Sequence, residues 1–449
     1  MSNVLYRHNV GNQLPVAVAG DGPYLIDASG KRYLDASGGA AVSCLGHSNE
    51  AIRKAIKDQV DHLAYAHTRF FTTEPAEQLA TELVVDAPAN LTKVWLTCGG
   101  SEAIEASLKI TRQYFVEIGQ PQRKFMIARR QGYHGNTFGA LSVSGNIWRR
   151  KQFEPVLLNV THHISPCFAY RYKSPDETEE AYGLRMANEL EAKIIELGTD
   201  SVAAFVAETV VGSTLGAVTA TPGYFKRIRE ICDKYGVILI LDEIMCGMGR
   251  TGVRYACADE GIAPDMIAVA KGLGGGYLPM GALLIAEKIH RAVEKGTNVV
   301  MHGHTFMGHA MSCAAALAAQ REIRDKDLLA NVKRQGEVLR AALADRFGNH
   351  PNVGDIRGRG LFLCVEFVAD RRTRQPFDPA LRINARIKER GMENGLICYP
   401  MGGIVDGKSG DHVMLAPPYI INESHIAEIM DKLGRTVDSV LREALVKAA

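Results

Sequence analysis

Between about residues 75 and 320 the chain repeats one alternation, and this restricts its fold more than any other feature. Short apolar runs alternate with amphipathic ones. "KVWLTCGG" (93–100) reads as a strand leading into the helix "SEAIEASLKITRQYF" (101–115). "KFMIARR" (124–130) and "SVAAFVAETVVG" (201–212) read as strands, and "PGYFKRIREICDKYG" (222–236) as a helix. "VILILDEI" (237–244), "MIAVAK" (266–271) and "MGALLIAE" (280–287) complete the set of strands. Strands without polar alternation are covered on both faces. Alternation with helices then predicts an α/β fold with a mostly parallel sheet between helices.

Beyond about residue 320 the pattern changes. Two long amphipathic helices are expected near 321–346 and 378–395, flanking "VGDIRGRGLFLCVEFV" (353–368). A last helix, "SHIAEIMDKLGRTVDSVLREALV" (424–446), keeps Ile426, Ile429, Leu433, Val437, Val440 and Leu441 on one stripe. Near the N-terminus, "GPYLIDASGKRYLDASGG" reads as two short strands around a Ser-Gly turn, then a Gly-rich loop. The expected division is a large domain over 71–325 and a smaller α+β domain over 326–449, joined by an N-terminal segment over 1–70. At 449 residues the chain is long for one core and short for three.

The bulk numbers narrow the function classes. Charged residues make up 23% and the net charge is +2, so nothing points to nucleic acid or an acidic membrane. Nine cysteines, with no C-x-x-C pair, argue against a disulfide framework and for a reducing compartment. No leader pattern opens the chain, and no apolar stretch reaches the roughly 18 to 20 residues of a membrane helix. A cytoplasmic protein is expected.

Five motifs carry chemistry. Asp242 ends the apolar strand 237–241, where open α/β sheets bind ligands. A buried carboxylate needs a partner. Lys271 ends another apolar strand and precedes a glycine run; desolvation there lowers a lysine pKa and makes a nucleophile. Gly99-Gly100-Ser101 opens a helix, and free N–H groups at a helix start bind phosphate. Tyr133 and His134 sit between glycines past a strand, where an aromatic can stack on a flat ligand. His302, His304 and His309 raise zinc, but no carboxylate or cysteine accompanies them, so no metal is expected. "GMGRTG" (247–252) matches the dinucleotide-binding glycine spacing, with Asp265 beyond it. That pattern should open a helix directly after a strand, and here "DEIMC" intervenes.

A phosphate cradle, a stacking aromatic, a strand-end aspartate and a strand-end lysine together suit pyridoxal 5′-phosphate (PLP). Its aldehyde takes a lysine as a Schiff base, and its ring nitrogen wants a carboxylate partner. A charge pair at about 4 Å is worth on the order of 4 kcal/mol at an effective dielectric near 20. That is roughly three pKa units, enough to keep a pyridine nitrogen protonated at neutral pH.

On these residues the chain resembles the class III (ω-amino acid or amine) aminotransferases of the aspartate-aminotransferase-like PLP fold. The likeness spans nearly the whole sequence. It includes "GGSEAIEASLKITRQY", "GYHGNTFGALSVSG", "ILDEIMCGMGRTG", "APDMIAVAKGLGGGYLPMGA" and "HGHTFMGHAMSCAAALA". The resemblance implies that Lys271 forms the Schiff base and shuttles the substrate proton, and that Asp242 holds the pyridinium. It implies phosphate on Gly100, Ser101 and the amide of Glu102, with Tyr133 and Ile244 on the two ring faces. Glu208 would orient Asp242 or the hydroxyl side of the cofactor, and His134 belongs to the same constellation. Thr305 would reach the phosphate of a neighbouring subunit, making the active unit a homodimer, with a tetramer as the larger option.

The implied reaction moves an amino group from an amine or amino acid to a keto acid, with pyruvate as the expected acceptor. Many relatives carry an arginine near the chain end for the substrate carboxylate. Here Met414, Leu415 and Glu423 stand in that neighbourhood. Arg69, Arg149 and Ala41 are the alternatives on the substrate side. A PLP-dependent lyase, such as an amino-phosphate phospho-lyase, or an aminomutase would use the same Lys and Asp. An NAD-dependent enzyme using Gly247–Gly252 is the remoter alternative.

Overall fold

The computed structural model describes residues 14–448. The first thirteen residues, on which part of the leader reading and of the N-terminal segment rests, lie outside that range. At the centre is a seven-stranded sheet: β1 Leu91–Thr97, β2 Phe125–Arg129, β3 Thr161–Ile164, β4 Val202–Glu208, β5 Ile238–Asp242, β6 Met266–Val269 and β7 Gly281–Ala286. The order across it is β1-β7-β6-β5-β4-β2-β3. All adjacent pairs are parallel except the two made by β7.

Every residue of β4, β5, β6 and β7 is buried, which is why these runs show no alternation. Full burial of one such aliphatic side chain contributes about 1.5–3 kcal/mol. Around the sheet lie α1 Gly100–Glu117, α2 Glu179–Leu197 and α3 Tyr224–Tyr235. α3 is bracketed by Gly223 and Gly236, both left-handed, so the helix starts and stops where a side chain would be strained.

A second apolar cluster joins both ends of the chain. Leu34, Leu45 and Ile52 pack in it with Leu343, Phe347, Phe367, Ile429 and Val437. An antiparallel sheet of Val353–Arg359, Phe362–Phe367, Asp411–Leu415 and Tyr399–Gly402 supports it, and Leu396 pairs with Leu34 across another.

The helices here depart from expectation. The one expected at 321–346 is two, α4 Ala310–Asp325 and α5 Leu328–Phe347. The chain turns between them at Asp327, whose φ is 49°. α4 divides its buried residues between the two clusters, whereas α5 serves only the second. One straight helix could not face both ways. The helix expected at 378–395 is α6 Ile383–Glu393, because Asp378 caps a separate turn and Arg382 is left-handed. α7 runs over Glu423–Ala448. The stretch 201–212 is also divided: β4 ends at Glu208, and Val210–Val211 pairs with Val218–Thr219.

Candidate active site

β7 runs against β6, and β1 against β7, so β1 points the same way as the parallel strands. Their C-terminal ends open on a cavity of about 450 Å³. Asp242 ends β5 beside Glu208, which ends β4 in register with it. Lys271 follows β6 by two residues, and α1 starts shortly after β1. Gly100, Ser101, Tyr133, His134, Glu208, Asp242, Ile244 and Lys271 all border this one cavity.

The two strand-end carboxylates diverge. Asp242, 3% exposed, faces the cavity. Its Oδ1 accepts from the Ile244 N–H at 3.0 Å, and its Oδ2 lies 2.8 Å from His134 Nδ1. Glu243 points away and accepts from Thr209 Oγ1 at 2.9 Å, the Ala256 N–H at 2.6 Å and the Cys257 N–H at 2.7 Å. It fastens the turn Ala256–Glu260, and burial lifts its pKa to about 7 against those three bonds.

Lys271 sits at φ 49° in a tight turn, its carbonyl accepting from Gly274 and Gly275 N–H groups at 3.1 Å each. A non-glycine residue held there costs of order 1–3 kcal/mol, a strain found where function fixes the backbone. Burial lowers the Lys271 pKa below the ordinary lysine value, opposed by Asp242 and Glu208. Glu208 moves up: burial raises it, His134 opposes, and Asp242 raises it further.

The far wall is the start of α1. Gly99 is its N-cap and offers no side chain, so the first N–H groups are left for a ligand. A Cβ on Gly100 would stand 2.8 Å from Ile244 Cδ1, so a side chain there would press on the Ile244 side chain. Ser101 Oγ accepts from the Asn136 N–H at 3.1 Å. The Glu102 carboxylate turns back onto the Cys98 N–H at 2.8 Å and does not line the cavity, although its amide belongs to the helix start. Tyr133 gives its N–H to Glu208 Oε2 at 3.3 Å, and the Arg149 guanidinium lies 4.4 Å from its ring centre.

Four further expected residues do not border the cavity: Ala41, Arg69, Thr305 and Arg149, the last of which reaches it only through its packing on Tyr133. Ala41, at φ 63°, turns into an apolar cluster with Val210, Met414 and Ala416, and its neighbour Val42 borders the cavity instead. Arg69 lines a separate exposed groove beside Phe70, Phe71 and Trp95. Thr305 is exposed, its carbonyl accepting from Tyr65 Oη at 2.9 Å. Sequence reasoning missed the apolar wall of Val42, Met245, Leu278 and Met280, and also Tyr277. Tyr277 Oη accepts from the Asn49 N–H at 2.5 Å and donates to the Gly46 carbonyl at 3.3 Å, tying the cavity to the N-terminal segment. The glycine run after Lys271 was the available signal for it.

Gly247–Gly252 opens no helix, which removes the dinucleotide alternative. Its glycines make room for packing: a Cβ on Gly249 would meet Leu329 at 2.6 Å. Arg250 is fully buried and donates to the Leu361 carbonyl at 3.1 Å and the Pro417 carbonyl at 2.5 Å. Among the described residues no group of three or more His, Cys, Asp or Glu is arranged for a metal.

The family model for aminotransferase class-III matches residues 5–437. The chain belongs to the class III aminotransferases. An uncharacterized aminotransferase of Schizosaccharomyces pombe is 44% identical over 98% of this chain and 96% of its own length. Gamma aminobutyrate transaminase 2 of Solanum lycopersicum is 34% identical over 93% of this chain and 90% of its own. An aminotransferase of Vibrio fluvialis, solved in its PMP-bound form, superposes with a TM-score of 0.89 at 32% identity, covering 96% of this chain and 94% of that one. Class III aminotransferases are PLP enzymes with the type I fold, and this one has that fold. Its cavity fits the group: an uncapped helix start for phosphate, a glycine where a Cβ would fill the cradle, a desolvated lysine and a strand-end aspartate.

Proposed function

We propose that this class III aminotransferase moves an amino group from an amine or ω-amino acid to a keto acid, with pyruvate as acceptor and Lys271 as the covalent anchor of the cofactor. The observation that carries this reading is the meeting in one cavity of a lysine with lowered pKa, a hydrogen-bonded aspartate and an uncapped helix start. When bound, PLP supplies an aldehyde and an electron-withdrawing ring. Lys271 Nζ, desolvated, would be the nucleophile that anchors the cofactor and the base that takes the proton from the donor's reacting carbon. Asp242 would accept from the ring nitrogen, and the N–H groups of Gly100, Ser101 and Glu102 would bind phosphate. Tyr133 and Ile244, which both border the cavity, would hold the ring. Amine and keto acid become carbonyl and amino acid, with no oxidant needed.

Among the described residues, Lys271 is the one lysine or arginine bordering the cavity, and Val42, Met245, Leu278 and Met280 are apolar. This wall supports a donor whose reacting carbon bears no carboxylate. A carboxylate further along the donor would meet Arg149, which no described acid pairs with and whose Nε is buried without a hydrogen-bond partner. Arg69, outside the cavity, would act only across a subunit interface. Phe70, Phe71, Met301 and Phe306 are more than half exposed in the stretches flanking Arg69 and Thr305, and support a homodimer in which Thr305 serves the neighbouring site. The free cysteines support a reducing cytoplasm. The two apolar clusters support a large domain near 71–325 and a small one built from 1–70 and 326–449.

The test is the donor range of Arg149→Ala with pyruvate as acceptor. Losing a charge-assisted contact should raise KM for an ω-amino acid about 10- to 100-fold and leave an uncharged arylalkylamine within about twofold. Equal losses on both donors would remove Arg149 from substrate binding. An enzyme that transfers from none of the amines, yet releases ammonia or phosphate from them, would be a lyase.

A further inference from the structure

The turn that carries Lys271 is held from outside as well as from within. Within it, the Lys271 carbonyl accepts from the Gly274 and Gly275 N–H groups, and the Ala270 carbonyl accepts from the Leu273 N–H at 2.9 Å. The carbonyls of Gly272 and Leu273 accept no main-chain N–H among the described residues. Both meet one side chain instead. Gln320 Nε2 lies 3.1 Å from the Gly272 oxygen and 2.9 Å from the Leu273 oxygen. Two acceptors at one end of an amide make that end the NH2 group, whose two hydrogens serve one carbonyl each. Gln320 is 2% exposed, on a face of α4 that also buries Ala315, Ala316 and Ala319. These small residues let the helix lie close to the turn: a Cβ on Gly275 would stand 4.0 Å from Ala319 Cβ.

The glycines explain why an outside clamp matters. Positions 272, 274, 275 and 276 are all glycine, so the turn has little stiffness of its own. Lys271 opens it at φ 49°, a conformation that persists only where the surroundings over-determine it. Among the described residues one other side chain reaches these two carbonyls. Cys44 Sγ stands 3.4 Å from the Gly272 oxygen, and a thiol is a weak donor. An apolar residue at 320 would leave the buried Leu273 carbonyl without a partner and the Gly272 carbonyl with the thiol alone. The turn would then shift to satisfy them, and Lys271 with it.

We propose that Gln320 is a positioning residue for Lys271: by donating both amide hydrogens to the Gly272 and Leu273 carbonyls it locks the glycine turn, and so fixes where Nζ meets the cofactor's aldehyde. This rests on the reading that Lys271 anchors the cofactor. Gln320 touches neither cofactor nor substrate; it acts through the main chain of the turn. Capture of the aldehyde joins Nζ to its carbon and releases water, so that step depends on the position of Nζ. Binding of the ring and phosphate without the aldehyde does not. The two can be measured apart.

The experiment compares the full-length protein with Gln320→Met, which keeps the volume and removes the donors, and with Gln335→Met. Gln335 is a buried amide on α5, which packs only in the second cluster. Two quantities are read on each apo-protein: the rate of PLP capture, from visible absorbance, and the dissociation constant of 4′-deoxypyridoxine 5′-phosphate, which has no aldehyde. A displaced nucleophile loses rate steeply, so Gln320→Met should capture PLP about tenfold more slowly. Its affinity for the deoxy analogue should stay within about twofold, as should both readings of Gln335→Met. Capture at the native rate would overturn the proposal. So would equal losses in capture and analogue affinity, or equal slowing in Gln335→Met, since either would make Gln320 a support of the fold alone. Borohydride reduction of the PLP-loaded native protein and peptide mapping test the underlying reading separately, because a label on a lysine other than Lys271 would overturn that reading. If Gln320→Met fails to fold, Gln320→Asn decides by the same readings, its amide falling about 1.5 Å short of the two carbonyls.

Discussion

At the scale of single residues, the strand end 242–243 separates chemistry from architecture. Asp242 and Glu243 are adjacent and both buried, yet one faces the cavity and the other a turn. Successive strand residues point to opposite faces, so two neighbouring acids cannot share one task. Glu243 should therefore be visible in stability rather than in cofactor binding. Its pKa, raised to about 7, lies above the ordinary glutamate value near 4.5. The native state then holds the extra proton, so this contribution is full below about 4.5 and is lost as pH rises through 7. The span corresponds to about 3 kcal/mol. Glu243→Gln should melt lower at pH 5, where its carboxyl is replaced by an amide that cannot accept at both ends. Its melting temperature should also fall less between pH 5 and 8. Differential scanning calorimetry across that range checks both, and an unchanged slope would contradict the raised value.

At the scale of elements, the sequence was most legible where burial was complete. Runs such as 238–241 and 266–269 could be read as strands because neither face tolerates polarity. The residues following them, Asp242 and Lys271, stood out for the same reason. What could not be read was direction. The split of α4 from α5 depends on two clusters lying on different sides, a tertiary fact with no local signal stronger than Asp327. The same holds for Ala41 and Val42, where left-handed backbone decides which neighbour meets the cavity. The loop after β2 gives this scale its test. Gly135 has φ 141°, and a Cβ there would stand 2.7 Å from Ser101 Oγ and 2.9 Å from Ala140 Cβ. Gly135→Ala should push the loop off the start of α1 and weaken PLP binding about tenfold or more. The affinity of pyridoxal, which lacks the phosphate, should change much less. Parallel titrations with the two aldehydes check this.

At the scale of the whole molecule, the cavity is built from elements far apart in the chain: α1's start, the loops after β2, β4, β5 and β6, and Tyr277 bound to the N-terminal segment. The apolar side chains of Phe70, Met301 and Phe306 are among those that one chain leaves uncovered. Light scattering after size exclusion should give twice the 48.9 kDa of the chain or a multiple of that. A paired substitution, Phe70→Asp with Phe306→Asp, should yield monomers with greatly reduced turnover. Monomers of full activity would contradict a site completed by Thr305 of a second copy.

The most direct test of the central claim is the visible absorption spectrum of the purified enzyme, recorded before and after an amine donor is added without any keto acid. The expected result is a cofactor band that bleaches with the amine, returns on adding pyruvate, and is absent from Lys271→Ala after dialysis against amine. A colourless protein that cannot be reconstituted with PLP would contradict the account, as would a band unmoved by any amine.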